Sequence, residues 1–152
     1  TNPHTARTHT ARTTPALLPL RAHQTPPDVK FIWAHAGDAQ PEQLAPILSQ
    51  LDNLYIDISC RNPLESFQGR LVSTDLQRLD EEDGTIKQDW KELFTDYADR
   101  VLYGSDIGPQ GRLEQYDEIQ EYYRSILSQL DPQTEEKIAY RNAANLFDVS
   151  GE

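Results

Sequence analysis

The sequence predicts an α/β protein with a parallel sheet, and two observations support this fold class. Three short apolar segments, at residues 30–34, 53–59 and 100–104, have the composition of strands. Amphipathic helical segments separate them, and strands that alternate with helices along a chain usually pair in parallel.

The first predicted unit spans residues 30–51. Phe31, Ile32 and Trp33 are consecutive apolar residues, which is typical of a strand that is buried on both faces. Asp38 stands shortly before Pro41, and this order is a start signal for a helix. Apolar residues at helical spacing then predict the buried face of that helix: Leu44, Ile47, Leu48 and Leu51.

The second and third predicted units repeat this order. The strand at 53–59 leads into a long loop from Cys60 to about Gly84, and a helix with one apolar face follows. The strand at 100–104 precedes a long helix, and Asp131-Pro132 opens a final helix as its cap and first-turn proline. The apolar positions of these helices are Ile86, Trp90, Leu93, Phe94 and Tyr97 in the first, Leu113, Tyr116, Ile119, Tyr123, Ile126, Leu127 and Leu130 in the second, and Ile138, Ala143, Leu146 and Phe147 in the third.

Residues 1–27 differ in composition from residues 28–152. The first segment is rich in Thr, Arg and Pro, and its only large apolar residues are Leu17, Leu18 and Leu20. We expect it to be a disordered or loosely docked tail, followed by a single domain.

The formal net charge of −11 indicates which partners are excluded. An acidic surface repels phosphate backbones and anionic bilayers, so we expect neither nucleic acid nor membrane as a partner. No apolar run approaches the roughly 20 residues of a membrane span, and the first residues lack the apolar core of a signal peptide. The single cysteine, Cys60, allows no disulfide within the chain, so we expect a cytoplasmic protein.

Three parallel strands are few for a stable sheet, because each open edge exposes unpaired backbone groups. A complete (β/α)₈ barrel needs eight strand–helix units in about 250 residues, and this chain has three such units. We therefore expect either a part of a larger barrel or a sheet that finds its neighbours in another chain.

Polar residues follow each predicted strand, at the end where parallel sheets bind their ligands. His35 follows the first strand and suits proton transfer near neutral pH. Arg61 follows the second strand and could clamp a substrate carboxylate, and Asp106 follows the third and could hold a metal. Each also has a structural interpretation: a hydrogen-bonded histidine, a solvated arginine, and an aspartate that forms a turn before Gly108-Pro109. Cys60 is interpreted as a small buried residue, not as a nucleophile.

Four segments occur along the chain in a fixed order. They are Phe31-Ile32-Trp33-Ala34-His35-Ala36-Gly37, Asn53-Leu54-Tyr55-Ile56-Asp57-Ile58-Ser59, Asp99-Arg100-Val101-Leu102-Tyr103-Gly104-Ser105-Asp106 and Ala139-Tyr140-Arg141-Asn142-Ala143-Ala144-Asn145-Leu146-Phe147. Together they resemble the amidohydrolase-related family, in its "amidohydrolase 2" branch of decarboxylases and lactone hydrolases, over about residues 28–149. The resemblance implies a metal-dependent (β/α)₈ TIM barrel, of which this chain would supply the last three βα units and a terminal helix.

The resemblance also implies roles for the candidate residues. His35 matches a histidine that acts as general acid or base or binds the metal, and Asp106 matches an aspartate that binds the metal and accepts a proton. Arg61 lies where residues of this family contact the substrate. The implied cofactor is a divalent metal, with zinc expected. The chain departs from the family in having no His-x-His, the pair that the family's first strand supplies to the metal.

The function expected from the sequence is a metal-dependent hydrolysis or decarboxylation of a small carboxylated substrate. The missing His-x-His leaves three explanations open: a truncated product, one piece of a split barrel, or a degenerate copy. The unusual composition of residues 1–27 favours truncation. The alternative is a non-catalytic half-barrel that assembles with itself or with a partner that carries the missing half.

Overall fold

The computed structural model describes the backbone of residues 29–64, 66–67, 70–71, 78–107 and 113–149, and the side chains of 29–64, 78–107 and 113–149. The predicted tail at 1–27 and the predicted turn at Gly108-Pro109 lie outside the described residues. The described residues contain no helix that is both long and apolar enough to cross a bilayer.

The three predicted strands form one parallel sheet. Its strands are β1 (Phe31–Trp33), β2 (Leu54–Asp57) and β5 (Val101–Leu102), in the order β1-β2-β5. Ile32 lies opposite Tyr55 in the first pair, and Ile56 lies opposite Val101 in the second. The α/β class with parallel strands is therefore confirmed, whereas an eight-stranded barrel stays a prediction.

Only one face of the β1 strand is covered by the core within the described part of the chain. Phe31 and Trp33 pack against the buried cluster, but Ile32 is 42% exposed. The prediction that this strand is buried on both faces is therefore wrong. The alternation follows from strand geometry, because successive side chains point to opposite faces of the sheet and the helices cover one of them.

Helix α1 (Pro41–Leu48) follows β1 and confirms the first predicted unit. Asp38 does not start it. Its backbone is left-handed, with φ of 55°. The helix begins after Gln40 instead, whose backbone N–H donates to the side-chain oxygen of Gln43 at 3.0 Å. Leu44 and Leu48 are fully buried against the sheet, as the helical spacing predicts.

The long predicted loop contains structure that the sequence pattern did not indicate. Two short antiparallel strands, β3 (Ser66–Phe67) and β4 (Arg70–Leu71), lie within it. Helix α2 (Gln88–Asp96) starts later than predicted, since Ile86 forms a bridge with Asp80 before the helix begins.

Helix α3 (Tyr116–Leu127) contributes to the buried cluster that the sheet and the other helices share, and it lies fully within the predicted long helix. Ile119, Tyr123 and Ile126 are buried on its inner face, as predicted. Leu113, which was assigned to that face, lies before the helix and is 65% exposed.

The final helix has three parts: α4 (Pro132–Glu136), a π-helical turn (Lys137–Arg141) and α5 (Asn142–Leu146). Asp131 caps α4 as predicted, with its carboxylate accepting from the N–H groups of Gln133 and Thr134, each at 3.1 Å. A π-helical turn displaces carbonyl groups from the regular hydrogen-bond ladder and leaves them to other donors.

The final helix lies along the outer edge of β5. The carbonyl of Ile138 accepts from the backbone N–H of Tyr103 at 3.0 Å, and the side-chain amide of Asn142 donates to the carbonyl of Val101 at 2.7 Å. The backbone carbonyl of Leu102 points to the opposite side, toward β2, and accepts from the backbone N–H of Ile58. These bonds satisfy the outward carbonyl of Val101 and the N–H of Tyr103, so the final helix covers part of this edge of the sheet.

Candidate metal centre

Three potential metal ligands meet at the carboxyl end of the parallel sheet. His35 follows β1, Cys60 follows β2, and Asp106 follows β5. One ligand atom from each residue lies within 4.8 Å of the others. We call these residues the His35–Cys60–Asp106 cluster. The meeting point is a consequence of topology, because the carboxyl ends of neighbouring parallel strands lie at the same edge of a sheet.

All three cluster residues have a left-handed backbone. Their φ angles are 57° for His35, 57° for Cys60 and 46° for Asp106. This conformation is unfavourable for residues with a Cβ atom and persists only where the surrounding structure enforces it, most often at functional sites. Each residue therefore lies in a sharp turn of the loop that follows its strand.

The loop after β1 is shaped by Gly37. A Cβ atom at this position would lie 2.0 Å from the ring of Trp33, and its φ of 61° is also left-handed. Only glycine tolerates this combination, because it has no Cβ atom to clash with the ring. The loop that carries His35 therefore folds back over the end of its own strand.

The imidazole of His35 is oriented by Ser59. Its Nδ1 atom lies 2.9 Å from the hydroxyl oxygen of Ser59, which is 1% exposed. A histidine that is held through one ring nitrogen presents the other, here Nε2, to a metal or a substrate.

Ser59 is in turn fixed by Asp57 on the end of β2. A carboxylate oxygen of Asp57 accepts a hydrogen bond from the backbone N–H of Ser59. The same carboxylate packs on Gly104, where a Cβ atom would lie 2.8 Å from one of its oxygens. The glycine in the third resemblance segment thus makes room for the group that positions Ser59.

Cys60 and Asp106 are in direct contact. The Sγ atom of Cys60 lies 3.2 Å from the Oδ2 atom of Asp106. Cys60 is 8% exposed, whereas Asp106 is exposed. The cluster therefore has a buried side, formed by the thiol, and an open side from which a small molecule could approach.

Arg61 lies behind the cluster and is fully buried. Its Nε and Nη2 atoms donate to the carbonyl oxygen of His35 at 3.0 and 2.8 Å, and Nη2 also donates to the carbonyl of Ala39 at 2.8 Å. The guanidinium lies 5.1 Å from the ring centre of Trp90. Burial lowers the pKa of Arg61 to about 10, although the charge of Asp38 acts in the opposite direction. Arg61 therefore remains a cation at neutral pH.

Helix α3 holds the segment that carries Cys60 and Arg61. The hydroxyl of Tyr123 donates to the carbonyl of Ile58 at 2.7 Å and accepts from the backbone N–H of Arg61 at 3.1 Å. The hydroxyl of Tyr122 donates to the carboxylate of Asp80 at 2.7 Å and also lies 3.2 Å from the carbonyl oxygen of Arg61. These bonds fix the chain on both sides of Cys60, which explains how its left-handed backbone is maintained.

The structure brings together two of the residues that the sequence singled out, His35 and Asp106. Arg61 lies next to them, but its contacts are those of a residue that positions the His35 loop. Its predicted contact with a substrate stays a prediction. Cys60 is buried as expected, but its place in the cluster was missed. The available signal was its position directly after a parallel strand, which it shares with the other two residues.

The donor set fits a divalent metal such as zinc. Imidazole, thiolate and carboxylate are the three side-chain types that zinc binds, and catalytic zinc sites use three protein ligands with a further position open. Neighbouring ligand atoms around tetrahedral zinc lie about 3.3–3.8 Å apart, as follows from bond lengths of about 2.0–2.3 Å. The separation of 3.2 Å between Cys60 Sγ and Asp106 Oδ2 is within a few tenths of an ångström of that spacing.

Comparison with known proteins gives one match. A family model described as amidohydrolase matches residues 8–149, which is most of the chain. No curated protein and no solved structure shows a significant match to this sequence.

Proposed function

Because this chain belongs to the amidohydrolase family, we propose that it is a metal-dependent hydrolase or decarboxylase that acts on a small carboxylated substrate at the His35–Cys60–Asp106 cluster. The observation that carries the proposal is the convergence of an imidazole, a thiol and a carboxylate within 4.8 Å at the carboxyl end of the sheet. A metal site requires several such groups close together, and here they follow three different strands. A purely structural role would not require them to meet.

Asp106 and His35 would hold the metal, which is proposed to be zinc. A divalent ion here would supply Lewis-acid polarisation of a carbonyl and an activated water at neutral pH. Asp106 is exposed, so one of its carboxylate oxygens can face the ion while the other accepts a proton from the reacting group.

His35 would bind the metal through Nε2. Its Nδ1 atom is tied to Ser59 at 2.9 Å, so Nε2 is the ring nitrogen that remains for the ion. A nitrogen that binds the metal has no lone pair left to accept a proton, so proton transfer is assigned to the second carboxylate oxygen of Asp106.

The proposal of a carboxylated substrate is supported by the buried charge of Arg61. The guanidinium is bonded to the carbonyl of His35 and stays protonated at neutral pH. Hydrogen bonds to the carbonyls of His35 and Ala39 hold the guanidinium behind the cluster, so it would attract an anionic substrate through its charge in a medium of low dielectric constant.

A second candidate function is assembly into a larger sheet, either with a second copy or with a partner that supplies further barrel strands. Val29 and Ile32 at β1 are each 42% exposed, which favours a covering partner there. The outer edge of β5 is already bonded to Ile138 and Asn142, so pairing is proposed at the β1 side. Light scattering on Ile32→Thr tests this function: an oligomer that dissociates in the variant supports it, and a wild-type monomer contradicts it.

The experiment that tests the enzymatic proposal is a metal titration of the metal-free protein. Zn²⁺ should bind with one ion per chain and raise the melting temperature. Asp106→Asn and His35→Asn should each reduce the affinity, while Asp52→Asn, at an exposed turn, should leave it unchanged. If the wild-type protein binds no ion and its melting temperature does not respond, the proposed function is wrong.

A further inference from the structure

We propose that Cys60 is itself a metal ligand, so that His35, Cys60 and Asp106 form a three-residue centre that selects thiophilic divalent ions. The inference rests on the proposed function, since it takes a metal held by His35 and Asp106 as given. It adds the third ligand, and with it the class of ion that the site prefers.

The geometry supports the cysteine as a ligand. Its Sγ atom is 3.2 Å from Asp106 Oδ2 and within 4.8 Å of the ligand atom of His35. Two ligands of one ion lie at about this separation, so the ion can be placed between them with small side-chain movements. Binding would replace the contact between thiol and carboxylate by two metal bonds and release the thiol proton to solvent.

The backbone at Cys60 supports the same assignment. A left-handed φ of 57° at a non-glycine residue is enforced here by the hydroxyl of Tyr123, which donates to the carbonyl of Ile58 and accepts from the backbone N–H of Arg61. A cysteine that only filled space would need no such conformation. The turn brings Sγ to Asp106 rather than into the apolar core formed by the helices.

The number of ligands supports the same assignment. With His35 and Asp106, Cys60 completes a set of three protein ligands within the described residues, which is the usual number at a catalytic zinc site.

A thiolate in the donor set has a consequence for metal choice. Soft sulfur ligands favour zinc, cadmium and cobalt, whereas magnesium and calcium prefer sites built only from oxygen ligands. We therefore expect Zn²⁺, Cd²⁺ and Co²⁺ to bind this chain strongly, and Mg²⁺ and Ca²⁺ to compete poorly even in large excess.

The test uses absorption spectroscopy of the full chain, since a thiolate bound to Co²⁺ or Cd²⁺ gives a ligand-to-metal charge-transfer band. Metal-free wild-type protein should develop this band in proportion to the metal added, up to one ion per chain. Cys60→Ser, which is nearly isosteric, should lack the band. It should also bind Zn²⁺ more than about 100-fold more weakly, because loss of a ligand costs more than loss of an outer-shell partner.

The controls separate failure of this inference from failure of the proposed function. Circular dichroism of the metal-free Cys60→Ser protein should match the wild type, which shows that a lost band is not a lost fold. If wild type binds Zn²⁺ but shows no charge-transfer band with Co²⁺, and Cys60→Ser binds equally well, Cys60 is not a ligand and only the inference fails. If wild type binds no ion at all, both fail.

Discussion

The guanidinium of Arg61 donates two hydrogen bonds to the backbone carbonyl of His35, at 3.0 and 2.8 Å. A buried cation thus holds the peptide group of the residue that we propose as a metal ligand. A third hydrogen bond, from the guanidinium to the carbonyl of Ala39, reaches the residue that follows the left-handed turn in Ala34–Asp38. The relationship indicates that the charge of Arg61 stabilises the His35 loop, and it allows a direct prediction.

Arg61→Met should destabilise the protein and weaken metal binding together. Loss of the donors leaves the carbonyls of His35 and Ala39 unpaired in a buried place, at a cost of about 1–3 kcal/mol each. Urea unfolding and Zn²⁺ titration measure the two effects. Arg124→Met is the matched control, because Arg124 is exposed on α3. Equal metal affinity in wild type and Arg61→Met would contradict a positioning role.

Ser59→Ala should weaken metal binding with a small effect on folding. The hydroxyl bonds Nδ1 of His35 at 2.9 Å, and loss of such an outer-shell partner typically reduces metal affinity by about 10–100-fold. Zn²⁺ titration gives the affinity, and thermal unfolding of the metal-free protein gives the stability. Ser59→Thr, which keeps the hydroxyl, should retain more affinity than Ser59→Ala. An unchanged affinity in the alanine variant would show that the ring is oriented by other groups.

Asn142→Ala should destabilise the fold by about 2–4 kcal/mol. Its side-chain amide donates to the carbonyls of Ala98 and Val101, each at 2.7 Å, and both would be left without this donor. Asn145→Ala, exposed one turn later, should change the free energy of unfolding by less than about 0.5 kcal/mol. Denaturant unfolding of the two variants gives the comparison, and similar values for both would show that the edge of β5 does not depend on Asn142.

Asp80→Asn should make the free energy of unfolding less dependent on pH in the acidic range. Burial alone would raise the pKa of this carboxylate, but hydrogen bonds from Arg78 and Tyr122 outweigh it and hold the pKa below its ordinary value of 3.8. A lowered pKa contributes stability above pH 3.8, and this contribution is lost as the pH falls through the folded-state value.

Thermal melts between pH 7 and pH 2 test this linkage. Wild type should lose more stability than Asp80→Asn on acidification, because the variant has no carboxylate to protonate at this site. Asp52→Asn, which removes a charge at an exposed turn, should follow the wild-type curve. Parallel curves for wild type and Asp80→Asn would contradict the role assigned to the contacts of Asp80 with Arg78 and Tyr122.

Local patterns were sufficient to predict most of the regular structure. The apolar spacing of Leu44 and Leu48 predicted a helix that exists, and Asp131-Pro132 predicted a cap that exists. The same patterns failed for Asp38, which precedes a proline as a cap would but lies in a left-handed turn. That turn depends on Arg61, a residue 23 positions later in the sequence, and no local pattern contains that information.

The sequence by itself determined the alternation of strands and helices, and therefore which ends of the strands carry His35 and Asp106. This is possible because side-chain periodicity is a local property of the chain. Only the tertiary structure decided that Cys60 joins these two residues and that Arg61 is buried behind them. Those placements depend on strand order, on left-handed turns and on the covering helix α3, all of which arise from contacts between distant segments of the chain.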